Sequence, residues 1–448
     1  MRWASILLNN IFPPIRYLFL IMVKKYMSKI LNNDYLFSIV ARVIGVVLGV
    51  ILSIMTARYF GPELKGVASV ISNDIILYAS FLGLGIYIAY PFFKKKEGDI
   101  YYKFINNVST LYLIYQLIAV AVCVAAVILR INILTVIAIA LLPVSVYVKQ
   151  LNYVVLIEYP RRRNSNAILI CAAEILVILF CIIFLTPNRN VAILYVCSLQ
   201  FVHLLLSFIN LRVKPTSIRF DVSQLEKYIK FGYIQMFVLI CMEINYNIDI
   251  QMMKHYDNVT LADIGIYGVG VALAQKIWLI PDAMKDILLS KLVKGKKEDE
   301  VARVIRVNVL ITIFGIILLA IIGKPFILLL YGRDFEQAYL VLLLMLLGII
   351  GMIYYKMIYS YNISQGKRLI NLYLLGGTAV VHTICNFIAI PMSGMWGALV
   401  STIVAYNVCG LAFMVYFHKV SGTPYKFLVF IQKQDIQDIK QYLGRNKK

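Results

Sequence analysis

The sequence predicts an all-α integral membrane protein with about twelve transmembrane helices in two six-helix pseudo-repeat lobes around a central cavity. Two observations support this fold class. Hydrophobic residues make up 61% of the 448 residues and charged residues only 15%, whereas soluble domains are about half apolar and about a quarter charged. Apolar runs of about 20 residues, the length that spans a bilayer, follow one another with short polar breaks.

The apolar runs divide the chain into a cytoplasmic or interfacial lead-in, two six-helix lobes joined by a linker, and a basic tail. These regions are residues 1–35, 36–211, 212–228, 229–417 and 418–448. The alternating runs predict spans at 36–57, 68–91, 107–129, 132–157, 167–186, 190–211, 229–253, 262–282, 305–331, 336–360, 369–390 and 394–417. In lipid each run is expected to be a helix, because a helix satisfies its own backbone hydrogen bonds.

The basic residues predict the orientation of the helices. The chain has 44 lysines and arginines against 22 acidic residues, which gives a formal net charge of +22. The basic residues concentrate in alternate breaks, beginning with the lead-in and ending with the tail. Because Lys and Arg near helix ends are retained on the cytoplasmic side, both termini are predicted to be cytoplasmic. A nucleic-acid partner is not predicted, since it would need the basic residues on one exposed face of a folded domain.

The sequence lacks the usual motifs of ATP-binding, catalytic and metal sites. It has no GxxxxGK[ST], GxSxG or HExxH motif, and its four histidines are scattered. Its seven cysteines all lie in apolar runs without a CxxC pair, which is typical of small core residues. We therefore expect neither an enzyme nor a bound cofactor. A cleavable signal is not expected either, because no small-residue cleavage site follows the apolar stretch 17–23.

Arg42 is a charged residue in the first predicted span, ARVIGVVLGV. A charge within hydrocarbon is costly and is often functional. A stripe of small residues runs beside it, at Ala41, Gly45, Gly49, Ser53 and Ala57, and such a stripe lets another helix approach closely. Arg42 is therefore predicted to point into a cavity between the lobes. The alternative is that its side chain snorkels to cytoplasmic headgroups, since it lies near the helix start.

The seventh predicted span, FGYIQMFVLICMEINYNIDIQMM, is the most polar. Asn245 and Asp249 are four residues apart and share a face, and Glu243 and Asn247 form a second pair on another face. Acidic groups at this depth are expected to face a watery cavity, a basic partner or a coupling cation. The alternative is that these side chains bind neighbouring helices as packing contacts.

Several further polar residues lie within predicted spans. Glu174 is a candidate protonatable group, because burial raises the pKa of a carboxyl; the alternative is a hydrogen-bonded core residue. His382 is a candidate cavity residue, although a satisfied contact between helices is the commoner role. Lys149, Lys276 and Lys356 lie near cytoplasmic helix ends, where snorkelling is the alternative. If several faced the cavity, they would give it a cationic lining suited to a diphosphate.

The chain has 31 tyrosines, which are many for its length. Most are expected at the membrane interface, where tyrosine is enriched. A few inside a cavity would suit the faces of sugars, because the ring stacks and the hydroxyl forms hydrogen bonds. The sequence does not identify which tyrosines these are.

The two halves open similarly, each with a helix, a short turn and a second helix. The turns are RYFGPELKG in the first half and HYDNVTLADIG in the second. Such weak internal similarity is typical of transporter folds built from repeats, with the solute path between them. Four segments in this order, ARVIGVVLGVILSIMTARYFGPELKG, NYNIDIQMMKHYDNVTLADIGIYGVGVALAQKIWLIPDAM, PFILLLYGRDFEQAYLVLLLMLLGII and ICNFIAIPMSGMWGALVSTIVAY, resemble the polysaccharide-export flippases of the multidrug/oligosaccharidyl-lipid/polysaccharide exporter superfamily. The resemblance extends from about residue 36 to 420.

The resemblance implies two six-helix lobes that open alternately to each side of the bacterial cytoplasmic membrane. Its implied substrate is an undecaprenyl-diphosphate-linked oligosaccharide, with membrane lipid and a glycan polymerase as further partners and H⁺ or Na⁺ as coupling ion. Arg42 matches a functional arginine of the related lipid II flippases, but the arginine and aspartate that follow there are replaced by residues 46–48, Val-Val-Leu. This departure favours a capsule, O-antigen or exopolysaccharide unit. Asp249 matches an acidic residue that polysaccharide exporters carry in NxxD form.

Three other classes of protein stay open from the sequence. A cation-coupled drug or metabolite antiporter would share the fold, and a lipid II flippase is the nearest related alternative. A membrane-embedded glycan polymerase or ligase is the enzyme alternative, but it normally needs a large outer catalytic loop. The predicted outer breaks of this chain are all short.

Overall fold

The computed structural model describes residues 34–211, 220–293, 298–432 and 435. Within these ranges the chain is helical and contains no strand. The predicted lead-in up to residue 33, part of the predicted linker (212–219) and the tail from 436 lie outside the described residues. The predicted all-α fold class is confirmed.

Thirteen α-helices follow one another along the described chain. They are α1 (Asp34–Leu82), α2 (Ile86–Glu97), α3 (Tyr101–Ile128), α4 (Ile133–Glu158), α5 (Pro160–Phe184), α6 (Arg189–Leu211), α7 (Val222–Met253), α8 (Leu261–Gln275), α9 (Leu279–Val293), α10 (Glu298–Leu330), α11 (Glu336–Ser364), α12 (Arg368–Ser421) and α13 (Tyr425–Val429). Short 3₁₀ turns at Lys276–Trp278 and Arg333–Phe335 precede α9 and α11.

Two long helices each contain a sharp bend at a glycine. Gly61 in α1 has φ 67° and ψ 179°, and Gly394 in α12 has φ 56° and ψ −130°. These backbone conformations are open almost only to glycine. The Lys65 ammonium lies 2.7 Å from the Thr56 hydroxyl across the first bend, although nine residues of straight helix would extend about 13 Å. The chain therefore folds back at Gly61, as predicted for the first outer turn.

Nine helices within the described ranges are long and apolar enough to cross a membrane. Two of them, residues 40–82 and 368–421, contain the bends at Gly61 and Gly394. The polar helix α7 is not among the nine. The predicted count of twelve spans therefore stays a prediction.

The outer surface of the bundle is apolar. Leu117 on α3, Phe314 and Ile321 on α10 and Met392 on α12 are between 69% and 77% exposed. In water this arrangement would be unfavourable, but acyl chains are as apolar as these side chains. The exposed apolar surface agrees with a bilayer as the surrounding solvent.

The linker between the two halves is shorter than predicted. Helix α7 begins at Val222, within the predicted linker 212–228, because the Asp221 carboxylate accepts a hydrogen bond from the Gln224 N–H at 3.1 Å and caps the helix. Such a cap satisfies a backbone donor that the first turn leaves open. We call α1–α6 the N-terminal set and α7–α13 the C-terminal set; the predicted lobe boundaries themselves stay predictions.

Short connections make neighbouring helices antiparallel, so the connections lie at two ends of the bundle. The end with connections at 98–100, 159 and 365–367 is called the basic end, because predicted cytoplasmic lysines and arginines lie there. The other end, with connections at 129–132, 185–188, 254–260 and 331–335, is called the opposite end.

The two sets contact each other near the opposite end. Lys254, at the end of α7, forms an ion pair with Asp74 of α1, with Nζ–Oδ distances of 2.6 and 2.7 Å. Arg58 of α1 donates hydrogen bonds to the Leu329 and Leu330 carbonyls, at 2.6 and 2.8 Å, where α10 ends. A cation from each set therefore contacts the other set. Arg58 lies just before the bend in α1, and Lys254 directly follows α7.

Candidate functional site

A cavity of about 920 Å³ lies between the two helix sets. Its walls come from α1, α2, α4, α5 and α6 of the N-terminal set and from α7, α9, α11 and α12 of the C-terminal set. We call it the central cavity. Its size is in the range of pockets that take small organic ligands, and its position agrees with the predicted fold class.

Four cationic side chains line the central cavity. Lys149 comes from α4, Arg163 from the first turn of α5, Lys285 from α9 and Arg368 from the first turn of α12. The described lining contains no Asp or Glu. The cavity therefore attracts anions, and its two arginines offer the forked donor geometry that suits phosphate oxygens.

Tyrosine and amide side chains form much of the remaining polar wall. Tyr87 and Tyr153 pack with ring centroids 5.0 Å apart. The Gln235 amide donates a hydrogen bond to the Tyr359 hydroxyl at 2.8 Å, which joins α7 to α11 across the cavity wall. Aromatic faces beside hydroxyl and amide groups are the surfaces that pack against sugar rings.

Two predicted carboxylates lie behind the cavity wall. Glu174 accepts or shares a proton with His203, whose Nε2 lies 2.7 Å from Glu174 Oε1, and it is His203 that lines the cavity. Glu243 accepts a hydrogen bond from Asn247 at 2.9 Å and interacts electrostatically with Lys149. Neither carboxylate is among the lining residues, so both act on the cavity only through these neighbours.

Asp249 lies in a separate buried cluster inside the C-terminal set. The Tyr267 hydroxyl of α8 donates to Asp249 Oδ2, and Thr402 Oγ1 of α12 lies 3.1 Å from the same oxygen. His382 Nε2 lies 3.3 Å from Thr402 Oγ1. Asn245, one turn before Asp249, donates to the Leu375 carbonyl at 3.1 Å. These contacts join α7, α8 and α12 as packing contacts, and none of these side chains lines the central cavity.

Lys356 also lies away from the central cavity. Its Nζ donates to Asp282 Oδ1 at 2.7 Å and lies 4.4 Å from the centre of the Trp278 ring. The side chain is buried between α9 and α11. Its charge is balanced by this carboxylate. Of the three lysines predicted to give a cationic lining, Lys149 lines the central cavity, and Lys276 and Lys356 are not among its lining residues.

Arg42 and the small-residue stripe differ from the prediction. Arg42 is exposed and is not among the residues that line the central cavity. A Cβ atom at Gly45 or Gly49 would have no neighbour within 4 Å, so no other helix of the described ranges packs closely there. Gly49 and Ser53 instead line a second space of about 310 Å³, which we call the end pocket. The first arm of α1 thus leaves an opening where close packing was expected.

None of the eight predicted site residues, Arg42, Glu174, Glu243, Asn245, Asn247, Asp249, Lys356 and His382, lines the central cavity. Three of its cations, Arg163, Lys285 and Arg368, lie in predicted connections, where the sequence analysis took them only as signs of orientation. They line the cavity because α5, α9 and α12 extend further towards the basic end than predicted. Helix starts such as Pro160 in the first turn of α5 were the available signal.

The fold is similar to that of solved membrane transporters. The lipid II flippase MurJ, in an inward closed conformation, has a TM-score of 0.71 at 14% sequence identity, covering 88% of this chain and 89% of that one. An inward-facing multidrug resistance MATE family transporter of the MOP superfamily has a TM-score of 0.63 at 13% identity, covering 86% and 98%.

A third structure, a MOP-superfamily transporter from Pyrococcus furiosus described as having a binding pocket of reverse polarity, has a TM-score of 0.53 at 12% identity, covering 86% and 94%. No protein-family model and no curated protein matches the chain. At these identities the likeness shows the fold alone. This chain has the helical architecture of MOP-superfamily transporters.

Proposed function

We propose that the chain moves an undecaprenyl-diphosphate-linked oligosaccharide repeat unit from the inner to the outer leaflet of the bacterial cytoplasmic membrane. Its product would serve the synthesis of a surface polysaccharide, either O-antigen, capsule or exopolysaccharide. The observation that carries the proposal is the central cavity with four cations and no carboxylate in its described lining. A diphosphate matches this lining, because charge-assisted hydrogen bonds to phosphate are among the strongest that proteins make.

In this proposal each part of the substrate contacts a different part of the cavity. Lys149, Lys285, Arg163 and Arg368 hold the diphosphate near the basic end, where α5 and α12 begin. Tyr87, Tyr153 and Tyr359 pack against the sugars, and the prenyl chain stays in lipid beside the bundle. Rocking of the two sets then closes the basic end and opens the opposite end, which is alternating access around one site.

Coupling to an ion gradient is the second part of the proposal. Asp249, Glu243 and Glu174 are the candidate coupling carboxylates, and H⁺ and Na⁺ are the candidate ions. Asp249 is favoured because it is 1% exposed and its cluster joins three helices of one set. Neutralising such a group by an ion changes the balance of charge where those helices pack.

Binding of polyprenyl diphosphate to the purified protein tests the cationic cavity. We expect K149A and R368A each to weaken binding by about tenfold or more, because each removes hydrogen bonds to a charged group. Lys230 is the matched control, since it is a basic-end cation in an exposed ion pair with Glu226 and does not line the cavity. The K230A variant should bind as the parent does. Equal binding by all three variants would contradict the proposal.

The alternatives are separated by substrate and phenotype. The drug antiporter is disfavoured because a cationic drug would enter a cavity of like charge, which costs free energy. Accumulation of drug in vesicles that contain no prenyl lipid would favour it nevertheless. A lipid II flippase shares this fold, and depletion of the chain would then lyse the cells. Depletion that only removes surface glycan supports the proposed substrate.

A further inference from the structure

The end pocket continues the central cavity towards the opposite end. Its volume is about 310 Å³, and Ser72, Val196 and Leu199 line both spaces. Along α1 the two spaces extend from Lys65 to Ile76, which is about 17 Å of helix at 1.5 Å per residue, and the central cavity continues to Tyr87 and Ile88 of α2. A glycan whose diphosphate lies near the basic end would therefore reach the end pocket with its distal sugars.

Lys65 is the charged residue that lines the end pocket. Its Nζ donates to the Thr56 hydroxyl at 2.7 Å, and an ammonium has three donors. The described lining of the end pocket contains no Asp or Glu. The hydroxyls of Ser53, Ser69 and Ser72 complete a polar wall around it.

Two lysines with more deeply buried side chains differ from the half-buried Lys65 in one respect. Lys254 is paired with Asp74 and Lys356 with Asp282, at 2.6 and 2.7 Å. A buried charge is normally paired, because leaving it without a counter-charge costs free energy. Lys65 has a hydroxyl in place of a carboxylate, so the carboxylate that would balance it does not come from the described chain.

We propose that Lys65 binds the carboxylate of an acidic sugar at the end of the glycan remote from the diphosphate. The inference rests on the proposed function and narrows it to a glycan that carries a uronic acid or a similar sugar. An acidic sugar fits because its carboxylate balances the ammonium while its hydroxyls bond to the serines of the pocket wall. The two cationic regions then select a substrate that is anionic at both ends.

Binding of soluble glycans to the purified full chain tests this site without the prenyl lipid. The probes are two tetrasaccharides that differ only in the terminal sugar, glucuronate or glucose. We expect the parent to bind the glucuronate compound about tenfold more tightly, as expected for one hydrogen bond to a charged group. K65M should remove the difference, and K65R should keep it.

Two further variants separate loss of the charge from loss of the fold. K65Q keeps a hydrogen-bond donor for Thr56 but carries no charge, so it should also lose the preference. K324M is the control, because Lys324 forms an exposed ion pair with Glu336 at the opposite end; it should keep the preference. Equal binding of the two tetrasaccharides by the parent, or a preference that survives in K65M and K65Q, would overturn the inference.

Binding of polyprenyl diphosphate, measured on the same samples, distinguishes this inference from the proposed function. A parent that binds polyprenyl diphosphate but does not discriminate between the tetrasaccharides overturns the Lys65 assignment and leaves the flippase proposal standing. A parent that discriminates between them but does not bind polyprenyl diphosphate supports the acidic-sugar site and contradicts the flippase proposal.

Discussion

Asp249 is a buried carboxylate whose described partners are hydroxyl and backbone donors, with no cation beside it. A carboxylate in such a place is either neutral or balanced by an ion. Its cluster is separate from the central cavity, so the proposed substrate site and the proposed coupling group consist of different residues. This separation makes the coupling role testable on its own.

The variant D249N is expected to lose the dependence of transport on a proton or sodium gradient. Its binding of polyprenyl diphosphate should stay within about twofold of the parent, because distant sites act nearly independently. Transport into proteoliposomes under each gradient measures the gradient dependence, and equilibrium binding measures the affinity for polyprenyl diphosphate. Asp257, an exposed carboxylate at the opposite end, supplies the control D257N. Unchanged gradient dependence in D249N would remove Asp249 from coupling.

At the residue scale the sequence identified polar positions better than their surroundings. The spacing of Asn245 and Asp249 correctly predicted a shared helix face, and both contact α12 or α8. Whether that face meets a cavity or another helix depends on how α7 rotates against α8 and α12, which local periodicity does not contain. Arg163 and Arg368 were missed for a related reason, because their role depends on where α5 and α12 begin.

The bends in α1 and α12 are the elements that fold each long helix back on itself. We expect G61A to lower the free energy of unfolding by about 1–3 kcal/mol, the cost of a strained backbone at a residue with a side chain. G394A should cost more, because its Cβ would also lie 3.1 Å from the Asn258 carbonyl. Thermal unfolding in detergent measures both.

Gly45 provides the control for these two variants. It lies in regular helix with no neighbour within 4 Å of an added Cβ. G45A should therefore be neutral or stabilising by up to about 1 kcal/mol, the helix preference of alanine over glycine. Equal destabilisation by all three substitutions would show that the bends are not the cause.

The short helix α13 and Asp435 are held to α10 by one arginine. Arg306 donates to both carboxylate oxygens of Asp435, at 2.6 and 2.9 Å, and to the Phe427 carbonyl at 2.5 Å. Desolvation acts to raise the pKa of Asp435, but the hydrogen bonds from Arg306 and from the Gln432 N–H outweigh it, so the pKa lies below its ordinary value. Because the pKa of Asp435 is lower in the folded state, its ionised carboxylate stabilises the attachment at pH values above the unfolded pKa of about 3.9.

The attachment should therefore be complete at neutral pH and weaken only as the pH falls through the lowered pKa of Asp435. At pH 7, D435N should speed hydrogen exchange in residues 425–432 by about tenfold or more, because Arg306 would keep its charge without a buried partner. Asp299 and Asp435 line one cleft, but Asp299 is exposed, so D299N is the control. Unchanged exchange in D435N would show that other contacts hold α13.

At the scale of the whole molecule, the contacts near the opposite end join the two sets there. The Asp74 side chain is fully buried and that of Lys254 is 9% exposed, so their ion pair is protected from salt screening. Arg58 reaches the α10 carbonyls at an exposed position. The proposed opening at this end has to separate both contacts.

Spin labels at Arg189→Cys and Asp257→Cys, in a background without the native cysteines, report the separation of the two sets at the opposite end. D74N and K254M should each raise the ratio of long to short distances by about tenfold, since breaking a buried pair is strongly destabilising. The effect of the double variant should be smaller than the sum of the two single effects, because both substitutions break the same ion pair. K230M, which breaks an exposed pair at the basic end, should leave the distances unchanged.

Additive effects of D74N and K254M would contradict their action as a pair, and unchanged distances in both would contradict a role in closure.

The architecture around this contact was partly predictable, since similar turns open the two halves of the sequence. The cross-connection was not, because Asp74 and Lys254 are 180 residues apart and their pairing depends on how the two sets dock.

The carboxylate-free lining of the central cavity also has a consequence for the solution around the protein. At physiological ionic strength the Debye length is about 8 Å, so mobile anions are expected to gather around the cations of the empty cavity. An incoming ligand must displace these counterions. The apparent affinity of an anionic ligand should therefore fall as the salt concentration rises.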